Sequence, residues 1–340
     1  MNKEKNKQES TVNPLVIKNA GNKLLTLSEI LKTGEIDLNL YRNNKAYNGK
    51  TAKFGVTIEK QNYIVKRKKT SFDDTSVFSE HVASSFIRMS GISAQETYLL
   101  TDKVTKEPVV LIKDFTKEGE YLRSYESTRE SSEDTDITTK AYTYKDILYM
   151  IEKHTKIYPG TKPQVVLQFW QMYCMDAILA NRDRHMGNWG YLATETKGYR
   201  AAPVYDNGAS LFPQVLRHFD EYIKGDSKAF ILERSSEFPA SKLMEYDSAE
   251  HRNKKTNYFR YIQNNLNNSD SFFDGLRFTI QKLRSMGILR IAEITRSCVT
   301  DSRIPLDLQH FYFEIICVRY LHIVHGISPE EAYAQLPSFI

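Results

Sequence analysis

Asn181-Arg182-Asp183-Arg184-His185-Met186-Gly187-Asn188, with Tyr205-Asp206-Asn207-Gly208 further on, is the stretch from which the rest of the chain can be read. It presents an acid, an amide five residues later, and a second acid beyond a short intervening hairpin. Phosphoryl transfer asks little covalent chemistry of a protein. It needs an oriented hydroxyl and metal ions that neutralise charge on phosphate oxygens. Asp183 suits the first task as base, and Asn188 with Asp206 suits the second. Magnesium favours hard oxygen ligands and keeps several waters, so two side chains plus nucleotide phosphates suffice. ATP and Mg²⁺ are the cofactors this pattern predicts.

Each piece has a plainer reading. A lone Asp-Arg-His triplet is commonly a surface turn with ion pairs. Asp-Asn-Gly is ordinary turn chemistry, with Asn and Gly tolerating positive φ. Context separates the readings. From Val165 to Leu179 apolar residues recur at helical spacing (Val166, Phe169, Trp170, Tyr173, Ala177), which sets Asp183 just past a buried helix. Trp189 to Leu192 and Tyr199 to Val204 read as two short strands joined by a turn through Lys197-Gly198. Helix, acidic loop, hairpin and Asp-x-Gly follow one another as in the larger lobe of a kinase.

The string Asn-x-Asp-Arg-His-x-x-Asn, then Ala-Pro-Val-Tyr-Asp-Asn-Gly, resembles the C-terminal catalytic half of HipA-like serine/threonine kinases, and more closely a compact branch of that family. Three upstream segments fit in the expected order: Asn62 to Lys66, Ser79 to Ser84, and Gly91 to Thr97. Val109 to Phe115 and Ser210 to Gln214 are further matches, so the resemblance runs from about Tyr47 to Gln214. It implies an α+β, two-lobed protein-kinase-like fold with a small β-rich N-lobe and a larger, mainly helical C-lobe. It also implies ATP- and Mg²⁺-dependent transfer of the γ-phosphate to a Ser or Thr hydroxyl, with autophosphorylation expected.

By that resemblance Lys66 is the strand lysine that neutralises the nucleotide's α- and β-phosphates. Read alone, it opens the basic run Lys66-Arg67-Lys68-Lys69. Glu80 lies in a helical pattern closed by Gly91 and is either the partner of Lys66 or a favourable acid in a first helical turn. The phosphate loop is expected at Asn48 to Gly55, where only Gly49 and Gly55 are glycines. Gly49 and Lys53 are its candidate contacts, with Lys50 or Lys53 supplying charge where glycines are few. His185 could orient Asp183 or the loop backbone, or ligate a transition metal with Asp183 and Asp206. No second histidine lies at ligand spacing and Asn188 suits magnesium, so a structural histidine in a kinase loop is expected.

The 340 residues are 41% hydrophobic and 26% charged, ordinary for a globular chain with room for two lobes. A net charge of +5 is too mild for a dedicated nucleic-acid binder. Cys174, Cys298 and Cys317 are far apart in apolar helical contexts and read as reduced core thiols. No signal peptide or membrane span is evident, because charges interrupt even Pro305 to Gly326. A bacterial cytoplasmic location is the default, and delivery by a specialised secretion route would leave no mark. The expected organisation is a polar leader over 1–35 with a short helix near Leu27 to Leu31, an N-lobe over 36–120, a polar flexible insertion over 121–143, and a helical C-lobe over 144–340.

The expected partners are ATP and a protein carrying a Ser or Thr hydroxyl, the chain itself included, through exposed hydroxyls in Ser124 to Thr139. Full-length HipA toxins add an N-terminal subdomain and a DNA-binding antitoxin. The chain lacks room for that subdomain, so no antitoxin partner is implied. Phosphoinositide and other small-molecule kinases use the same Asp-Arg-His-x-x-Asn loop, and a nucleotide-binding pseudokinase would keep the fold. These remain the alternatives.

Overall fold

The computed structural model describes residues 24–45, 53–68, 74–130, 143–196, 198–237, 240–247 and 252–339. The N-terminal part opens with α1 (Leu27–Thr33), β1 (Glu35–Ile36) and α2 (Leu38–Tyr41). Strands β2 (Lys53–Ile58) and β3 (Gln61–Arg67), helix α3 (Ser76–Met89), and strands β4 (Thr97–Asp102) and β5 (Pro108–Lys113) complete it. The five strands form one sheet in the order β1-β4-β5-β3-β2, antiparallel except for the β1–β4 pair.

Alternation of side chains gives this sheet two buried faces. Val56, Tyr63, Val65, Val109 and Leu111 pack with Ile30, Ile36 and Leu38 in a cluster on one face. The intervening Val110 and Ile112 pack with Val77, Val82 and Phe86 of α3 in the main core. Lys66 shares the parity of Ile64 and so emerges on the α3 side of the sheet. The reading of 1–35 as a leader is corrected at its C-terminal end. Leu27 and Ile30 share one face of α1, Ile30 is fully buried, and α1 covers the outer cluster.

Strand β6 (Glu120–Ser124) and helix α4 (Tyr125–Glu130) come next, and they correct part of the expected insertion over 121–143. The segment pairs in register with β7 (Gly190–Thr194), from Glu120 opposite Thr194 to Ser124 opposite Gly190, and β8 (Gly198–Ala201) completes this second sheet. Its polar composition suits a half-exposed strand as well as a loop, and the partner lies too far along the chain to be seen locally. A Cβ at Gly190 would stand 2.1 Å from the Arg123 carbonyl oxygen, so only glycine admits the close approach. Residues 131–142, most of the Ser/Thr-rich segment, lie outside the described residues.

The remainder is mainly helical: α5 (Tyr144–Lys153), α6 (Lys162–Ile178), α7 (Phe219–Lys224), α8 (Ser227–Ser236), α9 (Tyr258–Asn265), α10 (Asp274–Val299), α11 (Leu306–Tyr320) and α12 (Pro329–Ala334). A hairpin of β9 (Ala240–Asp247) and β10 (Arg252–Asn257) interrupts it, a strand pair that the helical reading of 144–340 did not include. Helix α6 runs through the core on Phe169, Trp170, Tyr173 and Ala177. Arg319 of α11 is fully buried and donates to the carbonyls of Ala177 and Ile178, at the end of α6, and of Arg234, Ser235 and Glu237, at the end of α8. One guanidinium thus satisfies the open carbonyl ends of two helices, where their dipoles favour a cation. Among the described residues no helix is long and apolar enough to cross a membrane, and the three cysteines are buried and free.

Ser328 caps α12 in a capping box with Glu331, with Pro329 in the first turn. Replacing Ser328 by Ala removes one side of the box. It should cost about 1 kcal/mol, read as a lower urea midpoint at unchanged slope.

Candidate active site

The site lies where the sheet, α3 and the two motif loops meet. Lys66 extends from β3, and its ammonium pairs with the Glu80 carboxylate of α3 and, at 2.6 Å, with Asp206 Oδ1. Glu80 has no exposed side-chain surface and Lys66 little. The alternative role of Glu80, as a favourable acid in a first helical turn, does not hold, because α3 starts at Ser76 and carries no acid in its first turn. Its second oxygen accepts from the Gln95 side chain and from the Asn207 backbone N–H at 2.8 Å. A Cβ at Gly208 would come within 2.9 Å of Glu80 Oε2, so the glycine of Asp206-Asn207-Gly208 makes room for this acid. The left-handed residue of the triplet is Asp206, at φ +59°, where positive φ had been expected of Asn or Gly. A non-glycine residue held at positive φ is a feature that clusters at functional loops.

Lys53 stands opposite Lys66 across the β2–β3 ladder and within its field. Burial and then the Lys66 ammonium lower its pKa, while Asp206 and Glu80 pull the other way. Burial also works against charge on Lys66 and on Asp206. The ion pairing overcomes it: Glu80 and Asp206 raise the Lys66 pKa, and Lys66 above all holds the Asp206 carboxyl at about 2. Two cations and two carboxylates therefore share one partly enclosed space.

The acidic loop is shaped by Arg184, which sequence reasoning passed over. Buried beneath the loop, its guanidinium pairs with both oxygens of Asp176 on α6, at 2.8 and 3.0 Å. It also donates to the carbonyl oxygens of Asn188 (2.7 Å) and Tyr205, and to Asn207 Oδ1 at 2.7 Å. One side chain thus ties the helix, the acidic loop and the segment bearing Asp206 together. Asn181 Oδ1 accepts the Asp183 N–H at 3.0 Å, and Asn188 Nδ2 donates to the Asp183 carbonyl at 3.0 Å. The Asp183 side chain is exposed, and its carboxylate makes no hydrogen bond to a described residue. Asn188 is buried, and its committed amide nitrogen leaves Oδ1 available.

His185 is exposed, and its Nδ1 accepts the Gly187 N–H at 3.0 Å, fixing the short turn Met186–Asn188. It orients loop backbone, as one of its two structural readings had it. Among the described residues no group of three or more His, Cys, Asp or Glu side chains could hold a metal. Gly49 lies outside the described residues, so the phosphate loop is represented only by Lys53 to Gly55 at the start of β2. A cavity of about 360 Å³ lined by Arg88, Ser93, Glu96, Lys113 and Phe115, among others, holds none of the expected site residues. Asp176, Arg184, Gln95, Ser84 and Asn207 complete the site. All but Asp176 lie inside the quoted motif segments, but residue type alone gave none of them a role.

The model of the HipA-like C-terminal domain matches residues 46–258, most of the chain. The chain belongs to the HipA-like C-terminal domain family. A curated relative, the serine/threonine-protein kinase CtkA of Helicobacter pylori, is 33% identical over 202 residues, 57% of this chain and 56% of the relative. The matched part is thus little more than half of that protein's length. The crystal structure of a Helicobacter pylori proinflammatory kinase CtkA superposes with a TM-score of 0.64 at 24% identity, covering 83% of this chain and 94% of that one. The fold of this HipA-like domain is accordingly the two-lobed, kinase-like α+β fold expected from its motifs.

Proposed function

We propose that the chain is an ATP- and Mg²⁺-dependent protein kinase that transfers the γ-phosphate of ATP to a Ser or Thr hydroxyl, its own hydroxyls among the acceptors. The Lys66–Glu80–Asp206 cluster, tied through Arg184 to the Asp183–Asn188 loop, supports this reading most directly. Family membership and the printed name of the curated relative point the same way.

Asp183 is the base: an exposed carboxylate held by its backbone is free to accept the proton of an incoming hydroxyl. Lys66, kept charged and aimed by Glu80, meets the α- and β-phosphates, with Lys53 adding positive charge beside it. Asn188 Oδ1 and the Asp206 carboxylate would hold Mg²⁺, and this donor set fits it: two hard oxygens and no histidine or thiolate. Bound there with the nucleotide, magnesium supplies charge neutralisation on the phosphate oxygens. A cytoplasmic setting, where ATP and magnesium abound, is the matching location.

The deciding experiment is transfer of labelled γ-phosphate from Mg-ATP, with protein alone, with a basic protein acceptor, and with phosphoinositide vesicles. Label on Ser or Thr of protein is expected; label on lipid only would replace the protein-kinase reading with its small-molecule alternative. Asp206→Asn in the same assay should lower kcat/KM at least about 100-fold, through weakened metal binding. Near-normal turnover would remove Asp206 from the mechanism.

A further inference from the structure

Behind the Lys66–Glu80 pair, Glu80, Ser84, Gln95 and Asn207 meet, none more than 3% exposed. Gln95 lies between α3 and β4. Its backbone N–H donates to the Val204 carbonyl at 2.8 Å, and the Val204 N–H donates to Ser93 at 2.9 Å, joining this segment to the one that leads into Asp206. The Gln95 side-chain amide donates to Glu80 Oε1 and, at 3.0 Å, to Ser84 Oγ, and its Oε1 faces the Asp206 N–H at 3.4 Å. Asn207 Nδ2 reaches the same Ser84 hydroxyl at 3.0 Å. One uncharged side chain therefore touches both the acid that holds Lys66 and the backbone of the metal-binding acid.

The chemistry of Glu80 explains why an amide is suited here. Its Oε2 is committed to Lys66. Its Oε1 accepts from the Gln95 amide and from the Asn207 N–H at 2.8 Å. Without Gln95 only the Asn207 donor remains, and the under-satisfied buried carboxylate would rotate towards it, drawing Oε2 off the lysine. A cation in place of Gln95 would compete with Lys66 for Glu80, and a carboxylate would repel it. An amide supplies hydrogens without charge.

We propose that Gln95 is a positioning residue: it fixes the rotation of the Glu80 carboxylate and so the place of the Lys66 ammonium against the nucleotide phosphates. This rests on the kinase reading above. A double-mutant cycle of Gln95→Leu and Glu80→Gln tests it, read in kcat and, independently of turnover, in the Kd for Mg-ATP. In the wild-type background Gln95→Leu should lower kcat or weaken Mg-ATP binding by about 10- to 100-fold, the range typical of residues that orient a ligand through another group. In the Glu80→Gln background the same change should cost less than about threefold, because the group it acts through has been altered. An equal loss in both backgrounds, or no loss in either quantity, overturns the proposal. A purely structural role would give that additive result together with a lower Tm. Should Gln95→Leu fail to fold, Ser84→Ala takes its place in the cycle under the same criteria. A wild-type chain that binds Mg-ATP without transferring phosphate sinks the kinase reading alone, and the cycle in Kd still decides this one. A chain that binds no Mg-ATP sinks both.

Discussion

Asp183→Asn should reduce phosphate transfer by about 10³-fold or more while Mg-ATP binding stays within a few-fold of wild type. The separation follows from how Asp183 is held. Its own main-chain N–H and carbonyl are held by the Asn181 and Asn188 side chains and the His185 N–H, so the substitution leaves the loop's hydrogen bonds in place. Its carboxylate is exposed and touches neither Lys66 nor the Arg184 network. An amide of the same size keeps the shape but cannot take a proton from the acceptor hydroxyl. Single-turnover transfer beside calorimetric titration with Mg-ATP measures both halves. Loss of nucleotide binding would move Asp183 to the metal or to the fold, and undiminished transfer would end its role as base.

Arg184→Met should lower stability by about 3–5 kcal/mol, because it strands the buried Asp176 carboxylate. Asp176 is almost wholly enclosed. Burial already pushes its pKa up against the pull of Arg184, so without the guanidinium it would fold only by taking a proton. The carbonyls of Asn188 and Tyr205 and the Asn207 amide lose their shared donor at the same time. Denaturant unfolding gives the free energy. Double replacement of Asp176 and Arg184 by apolar residues of similar volume should recover much of it, since the cost is the unpaired charge. An Arg184→Met protein as stable as wild type would contradict this account of the network.

The fold and the grouping of the candidate site residues were legible where the information is local. Asp183, Asn188 and Asp206 declare themselves by type and order, and α6 by its apolar spacing. What stayed hidden depends on distant pairing. Glu80 meets Asn207 from 127 positions away, and Lys66 meets Asp206 from 140, so nothing near Glu80 chose between its two roles. Glu120–Ser124 is polar enough for a loop and becomes a strand because β7 is there to receive it. Arg184 stood inside the motif with no role of its own, because burial is a property of the assembled loops.

Helix α3 is covered by the sheet on one side and by the C-terminal helices on the other. Its Ser79 hydroxyl lies 3.3 Å from Tyr312 of α11, its Met89 touches Cys298 of α10, and Lys282 of α10 donates to Gly91 just beyond its end at 2.7 Å. In many kinases the corresponding helix moves to make or break the lysine–glutamate contact, and that movement is the switch. Here both flanks are filled, and the helix has nowhere to retreat without opening a core. Progress curves started by Mg-ATP should therefore be linear from the first turnover, with no lag for activation. On the proposed kinase reading, control would fall on the supply of the acceptor hydroxyl, and the arrival of that acceptor would set when phosphate moves.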